Sequence, residues 1–150
     1  MSRPKRTRMM ENPPVVEGFK PFGVPFSATE PVVLLFEEYE AIRLVDYEGL
    51  TQEDASVKMN VSRPTFTRIY DKAKHTIATG FVEGRPILVR GGDYQSKGYW
   101  YRCEDCNRII VSATEILRCV YCNSKRLRTL SSLPCNGRGF CRKYGNHDIR

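Results

Sequence analysis

Two cysteine pairs, Cys103-x2-Cys106 and Cys119-x2-Cys122, separated by twelve residues, constrain this chain more than any other feature. A two-residue gap lets a tight knuckle turn present two thiolates to one ion, and two knuckles complete a tetrahedral site. Tyr99-Trp100-Tyr101 before the first pair and Arg108 to Val111 after it read as the strands of a ribbon hairpin. A module of roughly 30 residues builds too little core to fold unaided, so a bound metal supplies the missing stability. The spacing predicts one structural zinc ion on Cys103, Cys106, Cys119 and Cys122. Iron in the same cage and redox thiols are the alternatives. A four-thiolate cage is closed, and no set of acid, base and open coordination position is evident, so no enzyme is expected.

All six cysteines lie in the last third of the 150 residues, and so does most of the net charge of +7. Residues 1–30 carry five basic and three acidic side chains, residues 31–92 eight and nine, and residues 93–150 eleven and five. The split predicts two modules with a boundary at Gly91-Gly92. A basic C-terminal third suits a polyanionic partner, usually nucleic acid, although basic residues also keep small proteins soluble. The longest apolar run, Val32 to Phe36, is far short of the roughly 20 residues a membrane span needs. The basic N-terminus lacks the apolar stretch of a secretory signal. A cytoplasmic chain without membrane association is therefore expected, its cysteines read first as metal ligands or redox thiols.

Four basic residues and no acid in Met1 to Arg8 predict a flexible arm. Prolines at 13, 14, 21, 25 and 31 forbid a long helix and imply an extended, wrapping segment. Phe36, Tyr39, Ala41, Ile42 and Val45 fall at helical spacing, predicting a helix from about Leu35 to Val45, interrupted by Gly49. Thr51 with Asp54 resembles a capping box opening a second helix to about Met59. Asn60 tolerates the left-handed conformation of a sharp turn. Ser62 as N-cap and Pro64 in the first turn start a third helix over 63–78, stopped at Gly80. Ile87-Leu88-Val89 reads as a strand, and the polar run from Gly91 to Gly98 as a linker.

A short helix, a tight turn and a second helix form the motif that places its second helix in the major groove of DNA. Ala55 and Ser56 are small where the helices must touch. Turning Phe66, Ile69, Tyr70, Ala73 and Ile77 inward leaves Pro64, Thr67, Arg68, Asp71, Lys72 and His75 outward. Arg63 lies at the helix start, where an arginine can take a guanine bidentately. An ordinary helical hairpin with a solvated charged face is the competing reading.

The stretches GFKPFGVP at 18–25, FEEYEAIRLVDYEGLTQEDA at 36–55 and MNVSRPTFTRIYDKA at 59–73 resemble the prokaryotic proteins grouped as domain-of-unknown-function family 134. The resemblance covers about residues 2 to 92. It implies a helix-turn-helix similar to region four of the primary sigma factors, and a DNA-binding, regulatory protein. It places Gln52 near phosphate and Arg63, Thr65, Thr67 and Arg68 near bases. Ser62, at the cap, and Lys72, on the outer face, complete the candidate interface. Ser56 stands where alanine is common in the family and Asn60 where glycine is.

Cys135, Cys141 and His147 close the chain amid Arg138, Arg142 and Lys143. They form either a second, weaker metal or redox site, or a basic tail with two unpaired thiols. The sequence thus predicts an α+β chain in four parts: a basic and proline-rich segment (1–30), a helix-turn-helix domain (31–92), a zinc-ribbon-like module (93–130) and a basic tail (131–150). The leading function is a transcriptional regulator that binds double-stranded DNA. A ribosome- or RNA-associated zinc-ribbon protein and an adaptor docking on RNA polymerase are the alternatives. These residues leave the oligomeric state open, a homodimer included.

Overall fold

The computed structural model describes residues 8–25, 29–92, 94–96 and 98–130. In chain order the elements are β1 (Arg8–Met10), β2 (Gly18–Phe19), β3 (Val32–Leu34), α1 (Phe36–Ile42), a single π-helical turn (Arg43–Tyr47), α2 (Gln52–Lys58), α3 (Arg63–Glu83), β4 (Ile87–Val89), β5 (Tyr94–Ser96), β6 (Tyr99–Cys103), β7 (Ile109–Ser112) and β8 (Leu127–Thr129). The chain is α+β, as expected. Among the described residues, one compact unit comprises 8–9 and 14–94, and the other comprises 10–13 and 95–130. No described helix is long and apolar enough to cross a membrane.

The three helices of the first unit form because each has a start signal and one apolar face. Thr51 caps α2 by accepting the Asp54 N–H at 3.1 Å, and Ser62 caps α3 by accepting the Thr65 N–H at 3.3 Å. Such caps are each worth about 1 kcal/mol. The start of α1 lacks a polar cap. Instead the Glu38 carboxylate reaches back to accept the Leu35 N–H at 3.2 Å, which is half of a capping box. Ala41, Leu44, Ala55, Met59, Phe66, Ile69 and Tyr70 form the core where the helices meet. The expected inward stripe of α3 is inward, with Phe66, Ile69, Tyr70 and Ala73 buried.

Two helix boundaries differ from the expected ones. The first helix does not run evenly to Val45: it loosens after Ile42 into a π turn, in which the Glu48 N–H bonds the Arg43 carbonyl at 2.9 Å. The third helix passes through Gly80 and ends only at Gly84, whose φ of 63° is the left-handed conformation that closes many helices. Gly80 serves a different purpose. A Cβ there would lie 2.5 Å from Cγ1 of Ile87 and 3.1 Å from Cγ2 of Val32, so glycine is what lets the strands approach the helix.

Those strands form a three-stranded sheet in the order β2-β4-β3, with β3 parallel and β2 antiparallel to β4. Leu34, Ala73 and Val89 make a second small core between sheet and helix, flanked by Phe36, Tyr39, Ile42, Ile77 and Ile87. The stretch expected to be a linker contains β5. The second unit holds the antiparallel sheet β7-β6-β8, pairing Tyr101 with Ile110 on one side and with Thr129 on the other. The ribbon is thus three-stranded, with β8 added to the expected hairpin.

Gly80→Val should lower the unfolding free energy by about 1–3 kcal/mol, the usual cost of overfilling a packed site. A urea titration followed by far-UV circular dichroism measures it.

Candidate functional site

Two groups of side chains stand out, one in each unit. In the ribbon, Cys103 ends β6, Cys106 follows in the turn to β7, and Cys119 and Cys122 lie on the turn before β8. Their sulfurs all lie within 4.8 Å of one another, with Cys103 and Cys122 at 3.5 Å and Cys106 and Cys119 at 3.6 Å.

In both turns a backbone N–H points at the sulfur of the first cysteine. The Cys106 N–H points at the Cys103 sulfur at 3.5 Å, and the Tyr121 N–H at the Cys119 sulfur at 3.4 Å. An asparagine follows each pair with φ of 60°, Asn107 and Asn123, so both chains reverse through the left-handed region that asparagine tolerates. The reversal brings the Cys103 N–H to the Arg108 carbonyl at 3.0 Å and the Cys119 N–H to the Ser124 carbonyl at 2.8 Å.

The amides also act on the thiols, most clearly on Cys103. Hydrogen bonding from the Cys106 N–H, against the opposing effect of burial, holds Cys103 down to about 7. The other three do not follow alike: Cys119 is lowered too, whereas Cys106 is raised and Cys122 is pushed up to about 12. Thiolates are the metal-binding form, which a cation would favour in all four. Tyr101, Cys103, Ile110 and Cys119 are buried around it. The two turns are tied together outside the cluster: Asp105 accepts from the Ser124 hydroxyl and, at 2.8 Å, from Arg126. These four cysteines could hold one metal ion, as their spacing predicts.

In the helical unit, α2 and α3 are joined by the turn Met59 to Ser62, and Asn60 has the left-handed φ of 57° anticipated for it. The sequence-predicted DNA contacts lie along this pair, but several already have partners within the chain. Thr67 donates to the Gln52 side chain at 2.6 Å, bridging the two helices. Ser62 is used as the cap and donates to Thr65 at 2.9 Å. Arg63 sits 3.8 Å from Glu53, both well exposed, a pair worth little in water. Lys72 reaches Glu38 at 3.1 Å. Arg68 is exposed and has no acidic partner among the described residues.

Glu38 is the residue that sequence reasoning missed. Its side chain is almost wholly buried, with one carboxylate oxygen on the Leu35 N–H and the other beside Lys72. A buried carboxylate needs such company. A second acid of the same helix, Glu40, is equally buried and takes Arg43 bidentately at 2.7 and 2.9 Å. Arg43 also pairs with Glu48, and these bonds raise its pKa further. The apolar spacing that predicts this helix says nothing of these acids. The available signal was that Glu37, Glu38 and Glu40 crowd a short helix that has little surface to spare. Cys135, Cys141 and His147 lie outside the described residues, as do the first seven residues of the basic arm.

The fold and the cluster together define a class: a helical unit in which two side-chain-capped helices meet at a tight turn, and a three-stranded unit with four cysteines able to bind a metal. The chain belongs to the family described as "Protein of unknown function DUF134", whose model matches residues 1–97. A UPF0251 protein of Moorella thermoacetica is 42% identical over 146 residues, covering 97% of this chain and 95% of the relative. One from Clostridium tetani is 38% identical over 147 residues and covers 96% of both chains. One from Caldanaerobacter subterraneus is 49% identical over 98 residues, 65% of this chain and 83% of the relative. The family model stops short of Cys103, whereas the first two relatives run on through the ribbon. The chain matches no solved structure.

Removing Lys72 strips the buried Glu38 of its counter-charge. Lys72→Ala should therefore cost about 1 kcal/mol of stability. Arg68→Ala should stay within about 0.5 kcal/mol of the native protein. Parallel denaturant titrations of the two variants check the contrast.

Proposed function

We propose that this protein is a cytoplasmic transcriptional regulator that binds double-stranded DNA, reading the major groove with the first half of α3 and carrying a structural zinc ion in its ribbon. One observation carries the reading: α2 and α3, both side-chain capped, meet at a tight turn that leaves Arg63 and Arg68 exposed on the first turns of α3. That is where a recognition helix meets base edges and where arginine fits guanine. The resemblance to region four of the sigma factors points the same way. Thr67 donates to the Gln52 side-chain oxygen, which leaves the Gln52 amide N–H groups to serve a phosphate at the start of α2. Lys72 belongs to the scaffold first, because Glu38 holds it.

Zinc suits the ribbon. Sulfurs 2.3 Å from a tetrahedral ion stand ~3.8 Å apart; here two pairs stand at 3.5 and 3.6 Å and all four sulfurs lie within 4.8 Å of one another. Four thiolates leave no open position, so the ion would hold the fold together and supply no chemistry to a substrate.

A second reading, an adaptor that docks on RNA polymerase, is favoured by the charge of the helical part. Residues 31–92 hold eight basic and nine acidic side chains, and Lys72 is not free for phosphate. Such a protein would bind polymerase in the absence of DNA and bind DNA alone weakly.

Selection from a random duplex library, followed by gel-shift titration, tests the first reading. Arg68→Ala should weaken binding to the selected site by about 1–3 kcal/mol and relax its sequence preference. Equal binding to selected and random duplexes by native protein and variant alike would reject it. Elemental analysis should find about one zinc per chain. Cys106→Ser should lose the zinc and unfold the ribbon, while the helical circular dichroism signal persists.

A further inference from the structure

The ribbon carries a surface that duplex reading by α3 does not use. Tyr121 lies between the second pair of cysteines with 56% of its surface exposed, and the Arg108 guanidinium sits over its ring, 4.9 Å from the centroid. The two residues come from opposite turns of the cysteine cluster. Arg108 follows Asn107 at the end of the first turn, with its carbonyl bonded to the Cys103 N–H. Tyr121 is set by its own N–H on the Cys119 sulfur. The backbone that supports this pair is therefore the backbone that builds the cage. Val120, its neighbour in the chain, and Leu117 are exposed too, at 65% and 88%.

An exposed ring carrying an arginine plane is the side-chain equipment on which unpaired bases stack. Duplex bases are already stacked on one another and do not present a face to it. The surrounding charge suits a phosphate backbone. Residues 98–130 hold six basic and three acidic side chains. Two of the acids, Glu104 and Asp105, are taken by Arg126 at 3.4 and 2.8 Å. Among the described residues Arg108, Arg118 and Lys125 have no acidic partner and are exposed. We propose that the second cysteine turn binds single-stranded nucleic acid, with a base stacked on the Tyr121–Arg108 pair and phosphates on Arg118 and Lys125. This site is independent of the duplex site on α3, and each is tested by its own variant.

The test uses the full, metal-loaded chain and fluorescence anisotropy with labelled dT12 and U12, neither of which can form a duplex. Tyr121→Ala should weaken binding about tenfold, the scale of one stacked base. Tyr121→Phe should bind like the native protein, and Arg68→Ala should leave oligomer affinity unchanged. Tyr121→Ala should retain its metal and its affinity for the selected duplex. The tighter of the two oligomers identifies DNA or RNA as the source of the strand. If Tyr121→Ala loses its metal, Arg108→Gln decides, with a loss of several-fold and a shallower salt dependence expected. Native affinity for both oligomers in metal-loaded Tyr121→Ala, or in Arg108→Gln where that variant decides, overturns the proposal. So does failure of the native protein to bind either oligomer in 0.1 M salt.

Discussion

The helical unit depends on the packing of one long helix across two different partners. Over its first half α3 buries Phe66, Ile69 and Tyr70 against α1 and α2. Ala73 and Ile77 then pass it to the sheet, and Gly80 brings it close to Ile87 and Val32. Burial of side chains of this size is worth about 1.5–3 kcal/mol each, so the helix is anchored along its length. The exposed arginines near its start are therefore carried by a helix packed on two other elements.

Charge is distributed by a similar economy. Many of the acids and bases that sequence reading would leave in solvent are consumed inside the protein. Glu40 holds Arg43 and Glu38 holds Lys72. Arg8 reaches Glu37 at 2.7 Å, and Arg126 serves Glu104 and Asp105. Among the described residues, Arg68 on α3 and Arg108, Arg118 and Lys125 on the ribbon turns are exposed basic side chains left without an acidic partner. A net charge does not identify such a set; the pairing does.

The parts that were legible in the sequence are those specified by neighbours along the chain. The two cysteine pairs, the caps at Thr51 and Ser62, the left-handed Asn60 and the inward stripe of α3 each follow from residues a few positions apart. The repeated asparagine after each cysteine pair is of the same kind, and a closer look at the string Cys-x2-Cys-Asn reveals it. What escaped was long-range. Gly80 looks like a helix stop until Ile87 and Val32 are known to press on it. Glu38 looks solvated until Lys72 comes back to meet it from 34 positions along the chain. Strands β2 and β3 were read only as an extended and an apolar stretch, because their pairing partner is β4.

That pairing imposes an order on how the molecule comes into being. Gly18 and Phe19 align with Leu88 and Ile87, while Val32 to Leu34 run parallel to Ile87 to Val89. During synthesis the first two strands emerge with no edge to join, and they wait until all three helices have been made. Closing loops of that length is entropically slow unless the intervening chain has already shortened them. The three helices lie between these strands and, once formed, shorten that loop and bring β4 beside β2 and β3. The last strand of the unit is thus its clasp, and a chain lacking Ile87 to Val89 would leave β2 and β3 without their partner, as bare edges open to pairing with another chain.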